Sequence, residues 1–205
     1  MFKDKTILAS KSPRRRELIS LYFSSLSFYE GGLQEPDWNG SETPKRYLER
    51  CVGTKWANAL EGVRLEQGPK HSGRWGLLVG DTTVVFDRRI LGKPSNAREA
   101  QAMLRDLAGR THRVWTGFRL GLFEGFKTLG DSQMVVVESR VRFYELTRRE
   151  IDRYIREDRP FDKAGSYGFQ DGALKFVAQV EGSYTNIVGL PIFEVAATAR
   201  KLGFR

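Results

Sequence analysis

A short apolar run, Thr6 to Ala9, leads within three residues into Ser12-Pro13 and then into Arg14-Arg15-Arg16-Glu17-Leu18-Ile19. The run reads as a strand. Serine is a favoured N-cap, and proline suits the first helical position because its missing N–H has no intrahelical partner to lose. A strand that feeds straight into a helix start dictates an α/β arrangement and aims helix N–H groups and the positive dipole end at one spot. Two hydroxyls, Ser10 and Ser12, and three consecutive arginines gather there. From the residues alone this is either a phosphate site or an ordinary capped helix with a solvated basic face.

Further elements follow from pattern. Leu26 to Tyr29 reads as a second strand, and Thr43-Pro44 starts a helix to about Leu60. Residues 64–73 are polar and read as a surface loop. Gly76 to Gly80 is an apolar run that places Asp81 at or near a strand's C-terminal end, where α/β sheets tend to hold ligands. Thr82 to Phe86 continues as β structure and turns at Asp87-Arg88-Arg89. Asn96 with Glu99 forms a capping box, with Ala97, Ala100, Leu104 and Leu107 as the apolar stripe of the helix that follows. Val114 to Leu122 and Met134 to Tyr144 alternate as strands and pair through the 125–130 connection. Thr147 and Glu150 make a second capping box, and 188–202 reads as one closing helix with Pro191 near its start. No repeat, low-complexity tract or linker interrupts the chain, so a single domain over 1–205 is the economical reading.

Composition narrows the class. The chain has 205 residues, 40% hydrophobic and 29% charged, which suits a globular domain with a core of its own. One cysteine, Cys51, excludes an internal disulfide framework and points to a reducing compartment, the cytoplasm. Its expected place is buried in a helix. No secretory apolar segment is visible and no run is long enough for a transmembrane helix, so no membrane partner is expected. The net charge of +9 admits a nucleic acid, an anionic membrane or a polyanionic small substrate. The basic residues are scattered in short clusters without a tail or Cys/His finger spacing, so stable nucleic-acid binding is not expected.

Specific motifs carry the reading further. Ser10-Lys11-Ser12-Pro13-Arg14-Arg15-Arg16-Glu17-Leu18 resembles the signature of the Maf family of nucleotide pyrophosphatases. Four more stretches are similar to family blocks, in family order: Glu42 to Ala57, Gly80-Asp81-Thr82 to Gly92-Lys93-Pro94, Gly109 to Gly117, and Asp162 to Gln170 continued by Glu181 to Pro191. The resemblance implies an elongated mixed β-sheet flanked by helices, two lobes and a central cleft. It also implies cleavage of a nucleoside triphosphate between its α and β phosphates, aided by a divalent metal cation, Mg²⁺ or Mn²⁺. A homodimer is implied by the resemblance alone.

That chemistry needs charge neutralisation, a placed water and a stabilised leaving group. Arg14, Lys55, Lys93 and Lys163 lie where the family places phosphate contacts, a lysine serving as a point charge and an arginine as a two-oxygen clamp, and the Ser10 and Ser12 hydroxyls at the helix start are further substrate-binding candidates. Asp81 matches the family's proton acceptor. A carboxylate with the ordinary aspartate pKa of about 3.9 is a weak base, so direct proton removal and metal ligation both stay open for it. Glu35 matches a family acid with a metal or water-orienting role, although Gln34 stands where an aspartate is common. The Gln170 amide can donate and accept against a pyrimidine edge, and Thr82 and Arg14 help shape the same base pocket.

Ser12-Pro13-Arg14, Asp81-Thr82 and Tyr167-Gly168-Phe169-Gln170 resemble the dTTP/UTP branch rather than the 7-methyl-GTP branch, which tends to carry tryptophan in place of Arg14. Hydrolysis of dTTP and UTP, extending to modified pyrimidine triphosphates, is therefore the expected activity. Pyrophosphatases for 7-methyl-GTP or non-canonical purines, and a non-catalytic nucleotide-binding regulator of cell division, stand as alternatives. His71 and His112 sit in no zinc-like spacing, and His112 reads as structural. Gly80, Gly165, Gly168 and Gly189 are expected where backbone approaches closely or φ is positive.

Overall fold

In the computed structural model, which describes residues 1–38, 40–67 and 73–205, the first strand and helix form where the apolar run and the Ser-Pro cap dictate. These are β1 (Lys5–Ala9) and α1 (Pro13–Ser20), with Ser12 as N-cap accepting from the Arg15 N–H. There follow β2 (Leu26–Tyr29), α2 (Pro44–Gln67), β3 (Arg74–Phe86), β4 (Arg89–Leu91) and α3 (Ala97–Leu107). Next come β5 (Thr111–Glu124), β6 (Lys127–Thr128), β7 (Gln133–Phe143) and α4 (Arg148–Asp158). Three 3₁₀ turns (Pro160–Asp162, Ala164–Ser166, Gly172–Phe176) lead to β8 (Val177–Glu181), α5 (Tyr184–Val188) and α6 (Ile192–Leu202).

The strands make one mixed eight-stranded sheet in the order β2-β1-β3-β5-β7-β8, with β4 on β3 and β6 on β5. Only β2, β1 and the first part of β3 run parallel; β3, β5, β7 and β8 are antiparallel neighbours. The α/β class and the helix-flanked mixed sheet expected from the sequence are what the fold shows. Three apolar clusters fill it. One sits under α3, α4 and the 3₁₀ turns, one under α1 and α6, and one under α2.

Four expectations need correction. Asp81 does not end a strand: β3 runs unbroken for 13 residues through Asp81, Thr82 and Thr83. Its parallel neighbour is what ends, since Ala9 lies opposite Val79, and Asp81 emerges two residues beyond that edge, paired with Gly117 of β5. Helix α2 continues past Leu60 to Gln67 because Val63 extends the buried stripe of Leu48, Val52, Trp56 and Ala59. Residues 64–67 are thus helical, while 68–72, His71 included, lie outside the described residues. The closing helix starts at Ile192 rather than 188, because Gly189 takes a φ of 126° ahead of Leu190-Pro191, and Val188 ends a separate short helix. Ala97 is exposed rather than part of the buried stripe, and Glu99 folds back onto the N–H and hydroxyl of Ser95, not onto Asn96.

Strand β8 has no counterpart in the sequence reading, and it extends the sheet beyond β7. Cys51 is buried in α2, as expected, and burial pushes its thiol pKa up to about 12. No helix among the described residues is long and apolar enough to cross a membrane.

Candidate functional site

The end of β1 opens a cleft of about 740 Å³, a volume suited to a nucleotide-sized ligand. The ten residues singled out from the sequence all line it: Ser10, Ser12, Arg14, Glu35, Lys55, and Asp81, Thr82, Lys93, Lys163, Gln170. Six cations (Lys11, Arg14, Arg15, Lys55, Lys93, Lys163) face three carboxylates (Glu35, Asp81, Asp162), so the lining is electropositive.

Lys55 is the hinge of the sheet-built wall. Its buried ammonium, projected from α2, lies 3.0 Å from Glu35 Oε1 and 3.1 Å from Asp81 Oδ1. Glu35 Oε1 is also 3.4 Å from Lys93 Nζ. Burial works to raise the pKa of the Glu35 carboxyl, but Lys55 and Lys93 overcome that and hold it below the ordinary glutamate value. Asp81 Oδ1 accepts from the Thr82 N–H at 2.9 Å as well. With Oδ1 so loaded, Oδ2 takes no hydrogen bond from the described residues and is left for water. Two of the three Lys55 protons face carboxylates, which leaves one for a ligand oxygen.

Arg15 is the residue that sequence reasoning passed over in favour of Arg14. Its Nε donates to Gly189 O at 2.8 Å, one terminal nitrogen donates to Thr82 Oγ1 at 2.9 Å and the other to Ser10 Oγ at 3.4 Å. The guanidinium also stands 3.9 Å from Asp81 Oδ1. Burial draws its pKa down, with Asp81 and Glu35 opposing. A signal was available: Arg15 is the third residue after the N-cap, and side chains there tilt back toward the helix start. Arg16, one step on, leaves the cleft for the Ser10 carbonyl and the Glu30 carboxylate.

Thr82 is committed to the protein. Thr116 Oγ1 donates to Asn186 O at 2.8 Å, so the 3.0 Å contact between the two threonines is made with the Thr82 proton. Thr82 therefore acts on any ligand through Arg15. The helix-start donors are largely spent too, because Ser12 Oγ takes the Arg15 N–H and Ser10 Oγ takes the Ser12 N–H. Side-chain cations, more than backbone N–H groups, make this an anion site.

The second wall is built from the 3₁₀ turns. Lys163 Nζ lies 2.8 Å from Asp162 Oδ1 and 3.4 Å from Asp171 Oδ2, and Arg14 reaches the same Asp171 oxygen at 3.7 Å. The Asp171 carboxylate folds into the space a Cβ on residue 168 would occupy, 2.0 Å from that point, so a side chain at 168 would have to push the Asp171 and Lys163 side chains aside. Tyr167 lines the cleft, and its hydroxyl is 2.7 Å from Nε2 of buried His112. Burial lowers the His112 pKa to about 3, which keeps the ring neutral and structural as expected.

No group of three or more His, Cys, Asp or Glu able to hold a metal occurs among the described residues. Glu35 and Asp81 are nevertheless hard oxygen donors that already share one positive charge, the Lys55 ammonium. A Mg²⁺-like cation is commonly held by one or two carboxylates together with substrate phosphates. This pair fits that pattern and does not fit a closed, protein-only site.

Comparison with known proteins agrees with the cleft. Residues 5–202 match the family described as Maf-like protein. The chain belongs to this family. It is 39% identical over 206 residues to the dTTP/UTP pyrophosphatase of Aromatoleum aromaticum (strain DSM 19018 / LMG 30748 / EbN1), covering 96% of this chain and 95% of that protein. It is 40% identical over 201 residues to the dTTP/UTP pyrophosphatase of Hahella chejuensis (strain KCTC 2396), covering 98% and 94%. A third relative of the same name, from Thermococcus gammatolerans (strain DSM 15229 / JCM 11827 / EJ3), is 39% identical over 199 residues, covering 97% and 96%. The full-length resemblance to Maf-like proteins read from the five motif blocks is borne out.

Proposed function

We propose that this Maf-like chain is a nucleoside triphosphate pyrophosphatase that hydrolyses dTTP and UTP to the monophosphate and pyrophosphate. The observation that carries the reading is the Asp81 carboxylate, held on one oxygen by Lys55 at 3.1 Å and open on the other, inside an electropositive nucleotide-sized cleft. The names of the full-length relatives support the same substrates.

In the reaction a water oxygen bonds to the α-phosphorus while the bond from that phosphorus to the bridging oxygen breaks. Pyrophosphate leaves with the bridging electron pair. Asp81 Oδ2 orients the water and takes up its proton, and Glu35 helps fix the position of Lys55. Lys55, Lys93, Arg14, Arg15 and Lys163 share the growing negative charge on the phosphates, with Ser10 and Ser12 at the helix start. Glu35 and Asp81 would hold a divalent cation, which supplies charge neutralisation and a more acidic water when bound. Gln170 reads the pyrimidine edge, and Thr82 keeps Arg15 aimed at the ligand. Modified pyrimidine triphosphates fall within the same recognition.

The chain acts as one domain over 1–205, in the cytoplasm, as a homodimer. The test is pyrophosphate release from dTTP, UTP, 7-methyl-GTP, ITP and XTP with Mg²⁺ or Mn²⁺, with and without chelator, comparing the wild type with Asp81→Asn. Turnover of dTTP and UTP, lost in the variant, is the expected result. Equal turnover of 7-methyl-GTP or the purines would sink the substrate assignment. Folded, metal-supplied protein that turns over nothing would sink the enzyme.

A further inference from the structure

Asp171 sits beside the proposed base reader Gln170, and it faces the wrong way for a protein that must bind a polyanion. Its Oδ2 is the meeting point of Arg14, at 3.7 Å, and Lys163, at 3.4 Å. That oxygen is buried and yet receives no hydrogen bond. A carboxylate oxygen withdrawn from water normally collects strong, short, charge-assisted hydrogen bonds. Here it is held by charge alone, at distances where the attraction is real but the geometry is poor.

Other features make it easy to move. Asp171 ends a short turn in which its own N–H donates to Gly168 O at 3.1 Å, just before the 3₁₀ turn at Gly172–Phe176. Lys163 keeps a second carboxylate, Asp162 at 2.8 Å, if Asp171 departs. The two cations that Asp171 neutralises are cleft-lining residues, whereas Asp171 itself is not part of the lining.

We propose that Asp171 is a displaceable counter-ion: it occupies Arg14 and Lys163 in the empty cleft, yields them to substrate phosphate, and reclaims them as pyrophosphate leaves. The role of the two cations rests on the pyrophosphatase reading above. The carboxylate competes with every polyanion that enters, so it weakens binding of substrate and of product alike. The gain to the enzyme is release, because a cleft with six cations otherwise holds pyrophosphate tightly.

The test is calorimetric titration of the full chain with inorganic tripolyphosphate, without added metal, for the wild type, Asp171→Asn, Asp171→Ser and Asp171→Glu. Removing the charge should tighten binding by about threefold to tenfold, the effect being larger at low salt. Asp171→Glu, which keeps the charge, should stay near wild type. In the Lys163→Met background the gain from Asp171→Asn should shrink. In turnover of dTTP, Asp171→Asn should lower KM and strengthen inhibition by pyrophosphate in the same proportion. Unchanged or weaker tripolyphosphate binding by folded Asp171→Asn overturns the proposal. Loss of folding in both the Asn and Ser variants overturns it too, since Asp171 would then be holding the turn. Tripolyphosphate is a probe independent of turnover. A wild type that hydrolyses no nucleotide therefore counts against the pyrophosphatase reading, while the titration still decides the counter-ion.

Discussion

Two lysines of the cleft are each held between two carboxylates, and the two arrangements differ in almost every other respect. Lys55 lies between Glu35 and Asp81 at 3.0 and 3.1 Å, while Lys163 lies between Asp162 and Asp171 at 2.8 and 3.4 Å. In the first, Lys55 rests on a long helix and Asp81 on the middle of a 13-residue strand, with Glu35 on the loop between β2 and α2; the second rests on 3₁₀ turns and their links. The Asp81 side chain is 10% exposed and its lysine 6%, whereas the Asp162 side chain is 71% exposed. Adjacent residues of one helical turn tie the two together, Arg15 reaching Asp81 and Arg14 reaching Asp171. The lesson is that three side chains of the same kinds do different work on different backbone. Where the lysine and one carboxylate sit on regular elements away from water, as Lys55 and Asp81 do, their geometry is fixed and their fields are strong. On turns, with Asp162 in water, they are weakly coupled and exchangeable.

The comparison breaks most visibly at Asp81. Asp81→Asn should reduce kcat/KM for dTTP about 10³-fold, because the amide cannot take a proton and no longer balances Lys55. The expected KM change is small, and steady-state pyrophosphate release separates the two parameters. Lys55→Met comes next. It should cost about 10²-fold in kcat/KM and about 3 kcal/mol of stability in denaturant melts, since it strands a buried carboxylate. Lys163→Met is the matched change on the turn-built wall. Asp162 lies largely in water and Asp171 keeps Arg14 beside it, so stability should move by less than about 1 kcal/mol while KM rises about tenfold. If Lys163→Met were as destabilising as Lys55→Met, the contrast between the two triads would fail.

The legible parts of the molecule were those in which one short segment fixes both a conformation and a chemistry. The Ser12-Pro13 start, the Thr147–Glu150 capping box and the alternating strands at 114–122 and 134–144 each carry their own local signal, and each forms. Asp81 and Lys55 were found as motif residues, but not the reason they meet. That reason is register: β1 stops opposite Val79, and Asp81 shares the sheet face of Trp75, Leu77 and Val79, against which α2 packs. The unbroken run of β3 was hidden because a lone aspartate between apolar segments looks like a terminus, whereas here Lys55 and a backbone N–H satisfy it. Arg15 was missed because three adjacent arginines differ only by rotation about the helix axis. Asp171 was missed because its partners, Arg14 and Lys163, are brought to it by separate elements.

The last effect concerns the anchor of the turn-built wall and is a matter of pH, with no substitution in the cleft. His112 on β5 is 1% exposed, pairs with the Tyr167 hydroxyl at 2.7 Å and packs edge-on to Phe143. In the folded chain its pKa is lowered to about 3 from the ordinary 6.5 by burial. The unfolded chain therefore binds a proton below pH 6.5 that the folded chain refuses until about pH 3. Stability from this residue is complete above pH 6.5 and falls as pH drops through the window between those values. Going from pH 7 to pH 5 should cost about 2 kcal/mol, or about 4–8 °C in Tm. The Glu35 carboxyl does not contribute there, because its pKa lies below the ordinary 4.5. His112→Gln keeps an amide within reach of Tyr167 and removes the titration, so the variant should melt at nearly the same temperature at both pH values. Because His112 supports Tyr167 and not Lys55, the loss at pH 5 should appear first as hydrogen exchange in residues 163–171, with the amides of β3 around Asp81 still protected. Equal loosening of both regions would mean that the two walls open together and that the backbone beneath the two lysines is not what sets them apart.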